Sequence, residues 1–171
     1  TFPVKLEDNS AHKLGEYPGN KEELAAGKGK DQKNPINITY NEGIFVGYRW
    51  HDTQKIKPLF SFGHGLSYTT FEFGKAKADK TTMGQNDKIT FTVTVKNTGK
   101  KAGAEVAQLY ISDLKSTLPR PEKELKGFEK VFLNPGEEKE VSISIDKEAL
   151  SYFDADKHAW VAEPGDFEAL I

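Results

Sequence analysis

Few groups in this 171-residue sequence combine residue type and spacing in ways that could do chemistry. Glu42 and Asp52 flank an aromatic-rich patch. Two carboxylates placed this way could act as acid and base, or could hold the chain through hydrogen bonds and pairing with Arg49. His64, between Gly63 and Gly65, could line a ligand cleft or bond local backbone. Asp154-Ala-Asp156-Lys-His158 opens like a calcium loop. However, Ala159 stands where such a loop wants Gly, and Gly165 where it wants a bidentate Glu, so the stretch reads as a turn. Gly27-Lys-Gly-Lys-Asp31 lacks the spacing and hydroxyl of a phosphate loop and reads as a flexible lysine-rich loop. Asn37-Ile-Thr39 is a glycosylation sequon, meaningful in a eukaryotic secretory host. Trp50, Trp160, Tyr110 and Tyr152 carry flat faces on which sugars stack. Trp160, beside Val161 in a strand pattern, and Trp50, in the aromatic patch, read as packing residues. No metal-ligand spacing and no cofactor motif stands out. With no cysteine there is no disulfide, thiol nucleophile or Cys-based zinc site.

The elements that must hold these groups fall into two unlike stretches. Hydrophobic residues make up 36% of the chain and charged residues 29%, and the 11% of aromatics is too many for a disordered segment. The net charge of −2, with both signs interspersed, suits neither a nucleic-acid backbone nor an anionic membrane. No apolar run approaches the ~20 residues a spanning helix needs. The chain opens at Thr1 with no basic start or apolar leader, and it is expected to be a piece of something longer.

Residues 1–66 have no sustained periodicity and are broken by Pro3, Gly15, Pro18, Gly19, Pro35, Gly43, Gly47, Pro58 and Gly63, the punctuation of loops and short elements. One patch, Asn41–Asp52, reads as a short helix or strand. Tyr17–Lys33, rich in Gly and Lys, is expected to be the most mobile stretch. Residues 67–171 alternate instead. In Asp87–Thr98, Ile89, Phe91, Val93 and Val95 share one face, and Thr90, Thr92, Thr94 and Lys96 the other, which is a half-buried strand. Ala104–Ser112 places Ala107, Leu109 and Ile111 on one face and Val106 and Tyr110 on the other, so its outer side needs a cover. Leu125–Leu133 is a strand stopped by Asn134-Pro135-Gly136, and Glu138–Asp146 alternates with Val141, Ile143 and Ile145 inward. Lys157–Ala162 and Asp166–Ile171, around Pro164-Gly165, read as a closing hairpin. With an opening strand at Phe71–Ala78 the total is about seven. The fold class is all-β, an immunoglobulin-like or fibronectin type III-like β-sandwich behind an irregular N-terminal arm. The expected core is Phe91, Val93, Leu109, Ile111, Val131, Ile143, Ile145, Val161 and Phe167.

Certain strings are more specific than the periodicity. Asn41-EGIFVGYRWHD-Thr53 with Lys57-PLFSFGHGLSYTTF-Phe71 closely resembles the joint between the second and third domains of family 3 glycoside hydrolases. Val93-TVKNTGKKAGAEVAQLYIS-Asp113, Pro121-EKELKGFEKVFLNPGE-Glu138 and Trp160-VAEPGDFEALI-Ile171 agree with that family's third domain, and Thr1-FPVKLEDN with the end of its second. The resemblance runs through essentially the whole chain in order. It implies an arm (1–66) leaving an α/β sandwich domain and a fibronectin type III-like domain (67–171), carried by a retaining exo-β-glycosidase such as a β-glucosidase. A β-xylosidase parent and a non-catalytic carbohydrate-binding module are the alternatives.

In that family hydrolysis needs a nucleophile carboxylate and an acid/base carboxylate about 5–5.5 Å apart. The nucleophile is a barrel Asp followed by Trp, and the acid/base is typically a second-domain Glu upstream of Thr1. The only Ser-Asp pair here, Ser112-Asp113, is followed by Leu114, so the resemblance assigns no catalytic residue to this chain. Glu42 and Asp52 then read as structural, and His64 remains the substrate-binding candidate. His51 sits where relatives often carry an aromatic residue. No cofactor or metal is implied. The implied partners are the catalytic domains of the same polypeptide, the β-glycoside they act on, and further copies of the piece through apolar surface on the arm. Substrate class suggests a bacterial periplasmic or secreted setting.

Overall fold

The computed structural model describes residues 1–30 and 35–171. The lysine-rich loop read at Gly27–Asp31 and the mobile stretch read at Tyr17–Lys33 both run partly outside the described residues. The chain divides into two units, Thr1–His64 and Gly65–Ile171.

The first unit is built from short helices fixed locally. A 3₁₀ turn at Leu6–Asp8 leads into α1 (Ser10–Lys13), whose first turn is capped by the Asn9 side chain accepting from Ala11 N. α2 (Lys21–Ala25) is capped the same way by Asn20, which takes Glu22 N and Glu23 N at 3.0 and 3.1 Å. α3 (Tyr48–Thr53) follows Gly47, whose φ of 57° only glycine adopts without strain. The patch read as a helix or strand at Asn41–Asp52 is therefore helical only from Tyr48. Two buried aromatics hold this unit: the Trp50 indole donates to Asp8 O at 3.0 Å, and the His51 ring Nδ1 lies 3.0 Å from Ile56 O.

The second unit is a β-sandwich. Its strands among the described residues are β1 (Phe71–Phe73), β2 (Lys77–Ala78), β3 (Lys88–Asn97), β4 (Gly103–Asp113), β5 (Glu124–Leu133), β6 (Glu138–Asp146), β7 (Tyr152–Asp154), β8 (Ala159–Val161) and β9 (Phe167–Leu170), with helix α4 (Lys147–Leu150) between β6 and β7. In one sheet β3 pairs with β6 along one side and with β1 and β2 in succession along the other; the second sheet runs β5-β4-β9. The β3–β6 register places Ile89 against Ile145, Phe91 against Ile143 and Val93 against Val141 on the inner face. On the outer face the Thr90 and Ser144 hydroxyls meet at 2.8 Å. Period-two alternation thus sends apolar side chains one way and hydroxyls the other.

Three expectations change. The strands number nine because the opening strand breaks in two and β7 is added. The closing hairpin is not formed: β8 folds back on β7, and β9 crosses to the other sheet to pair with β4. Pro164-Gly165 is therefore a crossing between sheets, and turn chemistry alone does not name a strand's partner. The core is also centred differently. Val93, Leu109, Ile111, Ile143 and Ile145 are buried as expected, whereas Phe91, Val131, Val161 and Phe167 are half-buried. Val95, Ala107, Leu133 and Val141 complete the buried set. The two sheets approach tightly at Gly127, beside a bulge where the β4–β5 register shifts between Leu109 and Tyr110: a Cβ on Gly127 would lie 2.5 Å from Ile143 Cγ2.

Candidate functional site

The groups singled out in the sequence lie apart, each among its own neighbours. The His64 backbone N–H donates to Ser61 O, and its exposed ring stacks on Phe60 with centroids 5.0 Å apart. Phe60 in turn meets Phe2 edge-on at 6.5 Å and bridges to its backbone. Glu42 is half-buried, and its carbonyl accepts from Phe45 N, opening the turn before α3. Asp52 lies on α3, the helix that also carries Arg49, whose guanidinium sits 5.9 Å from the Tyr48 ring centroid. Asn37 donates to Glu23 through both its backbone N and Nδ2, at 2.8 and 3.0 Å, and Lys28 reaches the same carboxylate at 2.9 Å. These contacts, the Asn37 backbone bond foremost, hold the Glu23 carboxyl below its ordinary pKa.

The acidic run at the end of the sandwich is a turn. Asp154 Oδ1 accepts from Asp156 N and Lys157 N at 3.1 Å each, while Oδ2 pairs with Lys157 Nζ at 2.7 Å. That contact lowers the Asp154 pKa and raises that of Lys157. Among the described residues no three His, Asp or Glu side chains gather as metal ligands, and no helix is long and apolar enough to cross a membrane. Tyr152 donates to Glu163 Oε1 at 3.0 Å; desolvation, then that bond, raises its phenol pKa. Tyr110 is half-buried with Lys123 Nζ 5.7 Å from its ring centroid. Of the two tryptophans, Trp50 packs as expected. Trp160 does not: it is 65% exposed and meets the ring of Phe153, also exposed, edge-on at 5.8 Å. Its side chain points outward because β8 pairs solely with the short β7, leaving no sheet layer above it.

Two polar constellations escaped the sequence reading. In the first, the Arg120 guanidinium binds Asp113 Oδ2 at 3.1 Å, Glu124 Oε2 at 2.6 Å and Leu150 O at 3.0 Å, and lies 5.9 Å from the Tyr152 ring centroid. The side chains of Arg120, Asp113 and Glu124 are only 6%, 4% and 13% exposed. The two carboxylates converge, but both spend an oxygen on a buried cation. The cluster therefore braces the ends of β4, β5 and α4. The only cue in the sequence was an Arg set between Pro119 and Pro121.

The second constellation centres on Asn97, which is fully buried. Its Oδ1 accepts from Thr69 Oγ1 at 2.6 Å and Gly99 N at 3.0 Å, and its Nδ2 donates to Lys101 O and Leu133 O at 2.8 and 3.0 Å. The Ser67–Thr70 stretch is thereby pinned to the sandwich, so closely that a Cβ on Gly99 would fall 2.3 Å from Thr69 Oγ1 and one on Gly103 2.8 Å from Thr69 Cγ2. The turn at Asn97-Thr98-Gly99 thus doubles as a clamp.

Residues 105–171 match the family model described as a fibronectin type III-like domain. The whole chain aligns, at 49% identity, with 20% of thermostable β-glucosidase B of Acetivibrio thermocellus, and, at 50%, with 21% of β-glucosidase BoGH3A of Bacteroides ovatus. Among solved structures, 99% of the chain superposes on 22% of the Bifidobacterium adolescentis GH3 β-glucosidase with a TM-score of 0.80 and 33% identity. It superposes on 21% of β-glucosidase 3B of Thermotoga neapolitana, solved with α-D-glucose, with a TM-score of 0.78 and 35% identity. The chain spans about a fifth of the length of the curated relatives it matches. In sequence and in fold the chain matches the C-terminal, fibronectin type III-like region of family 3 β-glucosidases.

Proposed function

We propose that this chain is the non-catalytic C-terminal brace of a retaining β-glucosidase, hydrolysing terminal β-linked glucosides through domains outside residues 1–171. The observation that carries the reading is the alignment of every residue with one region of β-glucosidases some five times as long. It favours a β-glucosidase over a β-xylosidase or a free-standing sugar-binding module. The clamp at Asn97 and the ion cluster at Arg120 support a rigid mechanical role: both spend their polar groups internally. Its partners are then the catalytic domains of the same polypeptide and, through them, the glucoside. A periplasmic or secreted setting follows from the substrate class alone. Exposed Phe2, Phe62, Phe128 and Phe132 favour self-association of the isolated piece, which sedimentation would detect.

Hydrolysis through an oxocarbenium-like transition state needs both carboxylates in place. The purified chain should release no nitrophenol from aryl β-glucosides, while a polypeptide of the relatives' full length containing it should. Turnover by the chain alone that vanishes in Glu42→Gln would overturn the proposal.

A further inference from the structure

One side of the sandwich core lies open. Beside β2 and β9 is a cleft of about 880 Å³, and its floor is core: Ile89, Phe91 and Ile145 from one sheet, Ile111 and Phe167 from the other. Protein interiors are close-packed, so inward faces of two sheets are not normally left facing a void of this size. Trp160 stands on the rim. The rim charges, Lys80 and Lys147 against Glu163 and Asp166, are mixed and select for neither sign.

The wall formed by β9 is itself unfinished. Leu114 N donates to Asp166 O, and β9 then pairs antiparallel with β4 from Phe167 to Leu170. Backbone groups alternate sides along a strand, so Glu168 and Leu170 face β4 while Phe167 and Ala169 face away from it. Neither Phe167 nor Ala169 has a backbone partner on that side among the described residues. An apolar floor bordered by unpaired N–H and C=O groups is a template for one more strand.

We propose that the cleft accepts an extended segment of the same polypeptide from outside residues 1–171, pairing with the free edge of β9 and laying apolar side chains over Ile89, Phe91 and Ile145. The proposal rests on the reading that the chain is part of a longer polypeptide, most of which lies elsewhere. A tethered segment reaches the cleft at an effective concentration of roughly millimolar, which a second copy of the chain does not match in dilute solution.

Amide exchange on the isolated chain and on a polypeptide of the relatives' full length tests this. The Phe167 and Ala169 amides should exchange at least ~10-fold more slowly in the longer protein. Acrylamide quenching of Trp160 should fall there too, with buried Trp50 as the internal reference. Ala169→Pro removes an N–H that has no partner in the isolated chain. It should leave the melting temperature of the chain unchanged and lower that of the longer protein, whereas Leu170→Pro should lower both. Equal exchange at Ala169 in the two proteins would overturn the proposal. So would protection that appears in the isolated chain as its concentration rises, which would assign the edge to a second copy. Glucoside hydrolysis by the longer protein is read separately, so a failure of one reading is not mistaken for failure of the other.

Discussion

Replacing Arg120 with Ala removes a buried cation that binds two carboxylates and a carbonyl, while Lys126 Nζ stays 3.6 Å from Glu124 Oε2. Three hydrogen bonds of 2.6–3.1 Å disappear, two of them to charged acceptors. Hydrogen bonds to charged groups contribute about 1.5–3 kcal/mol each. The sum overstates the loss, because an orphaned carboxylate recruits water or a proton. Breaking a buried pair by removing one partner costs about 3–5 kcal/mol, and with Asp113 only 4% and Glu124 13% exposed that range applies here. For a domain of this size the melting temperature should fall by roughly 12 °C or more. Arg120→Lys keeps the charge but not the planar fork, so it should lose less, about 1–2 kcal/mol. Replacing Arg120, Asp113 and Glu124 together by Met and Leu should recover most of the stability, since a well-packed apolar substitute is often neutral. Urea melts of the four proteins would decide. A loss below about 1 kcal/mol for Arg120→Ala would refute the argument that this cluster ties the strand ends together.

Two other expectations concern Gly99 and the acid limb of stability. Gly99→Ala forces a Cβ to within 2.3 Å of Thr69 Oγ1 and 3.0 Å of Thr70 N, and should cost about 1–3 kcal/mol in denaturant melts, while the nearby Gly136, with open space around it, differs only through its positive φ. The carboxyls of Asp154, Glu163, Glu137 and Glu23 are held below their ordinary pKa by Lys157, Thr117, Asn134 and Asn37 respectively. Groups with depressed folded-state pKa stabilise above the unfolded value and lose that contribution as pH falls through the folded one. Melting temperature should therefore decline from about pH 5 downward, and Asp154→Asn should flatten that acid limb.

The strands from Lys88 to Asp146 were legible because each buries one face, and alternation records burial directly. Glu138–Asp146 came out at its observed bounds for that reason. Pairing was less legible. Nothing in Lys157–Ile171 distinguishes a hairpin from two strands that part company, since both need the same turn residues between them. The core list missed because alternation gives the face a residue points to but not its depth along the strand. Phe91 and Phe167 are large but lie toward the open cleft, while Ala107 and Val95 sit at the middle, where the sheets meet. Asn97 and Arg120 could not be ranked because a polar residue reveals its partners only once distant segments converge. His64 and Glu42 drew attention through their neighbours in sequence, which are not the contacts that decide a side chain's work.

Gly127 has a consequence beyond packing. It sits in a strand whose other central residues, Phe128 to Lys130, are exposed, and a mutational survey sorted by solvent exposure would treat that stretch as permissive. Yet any side chain at position 127 would act as a shim driven between the layers at Ile143, tilting one sheet against the other. A deep scan should therefore show a single intolerant column among tolerant ones, and its position would read out the local gap between the sheets without a structure.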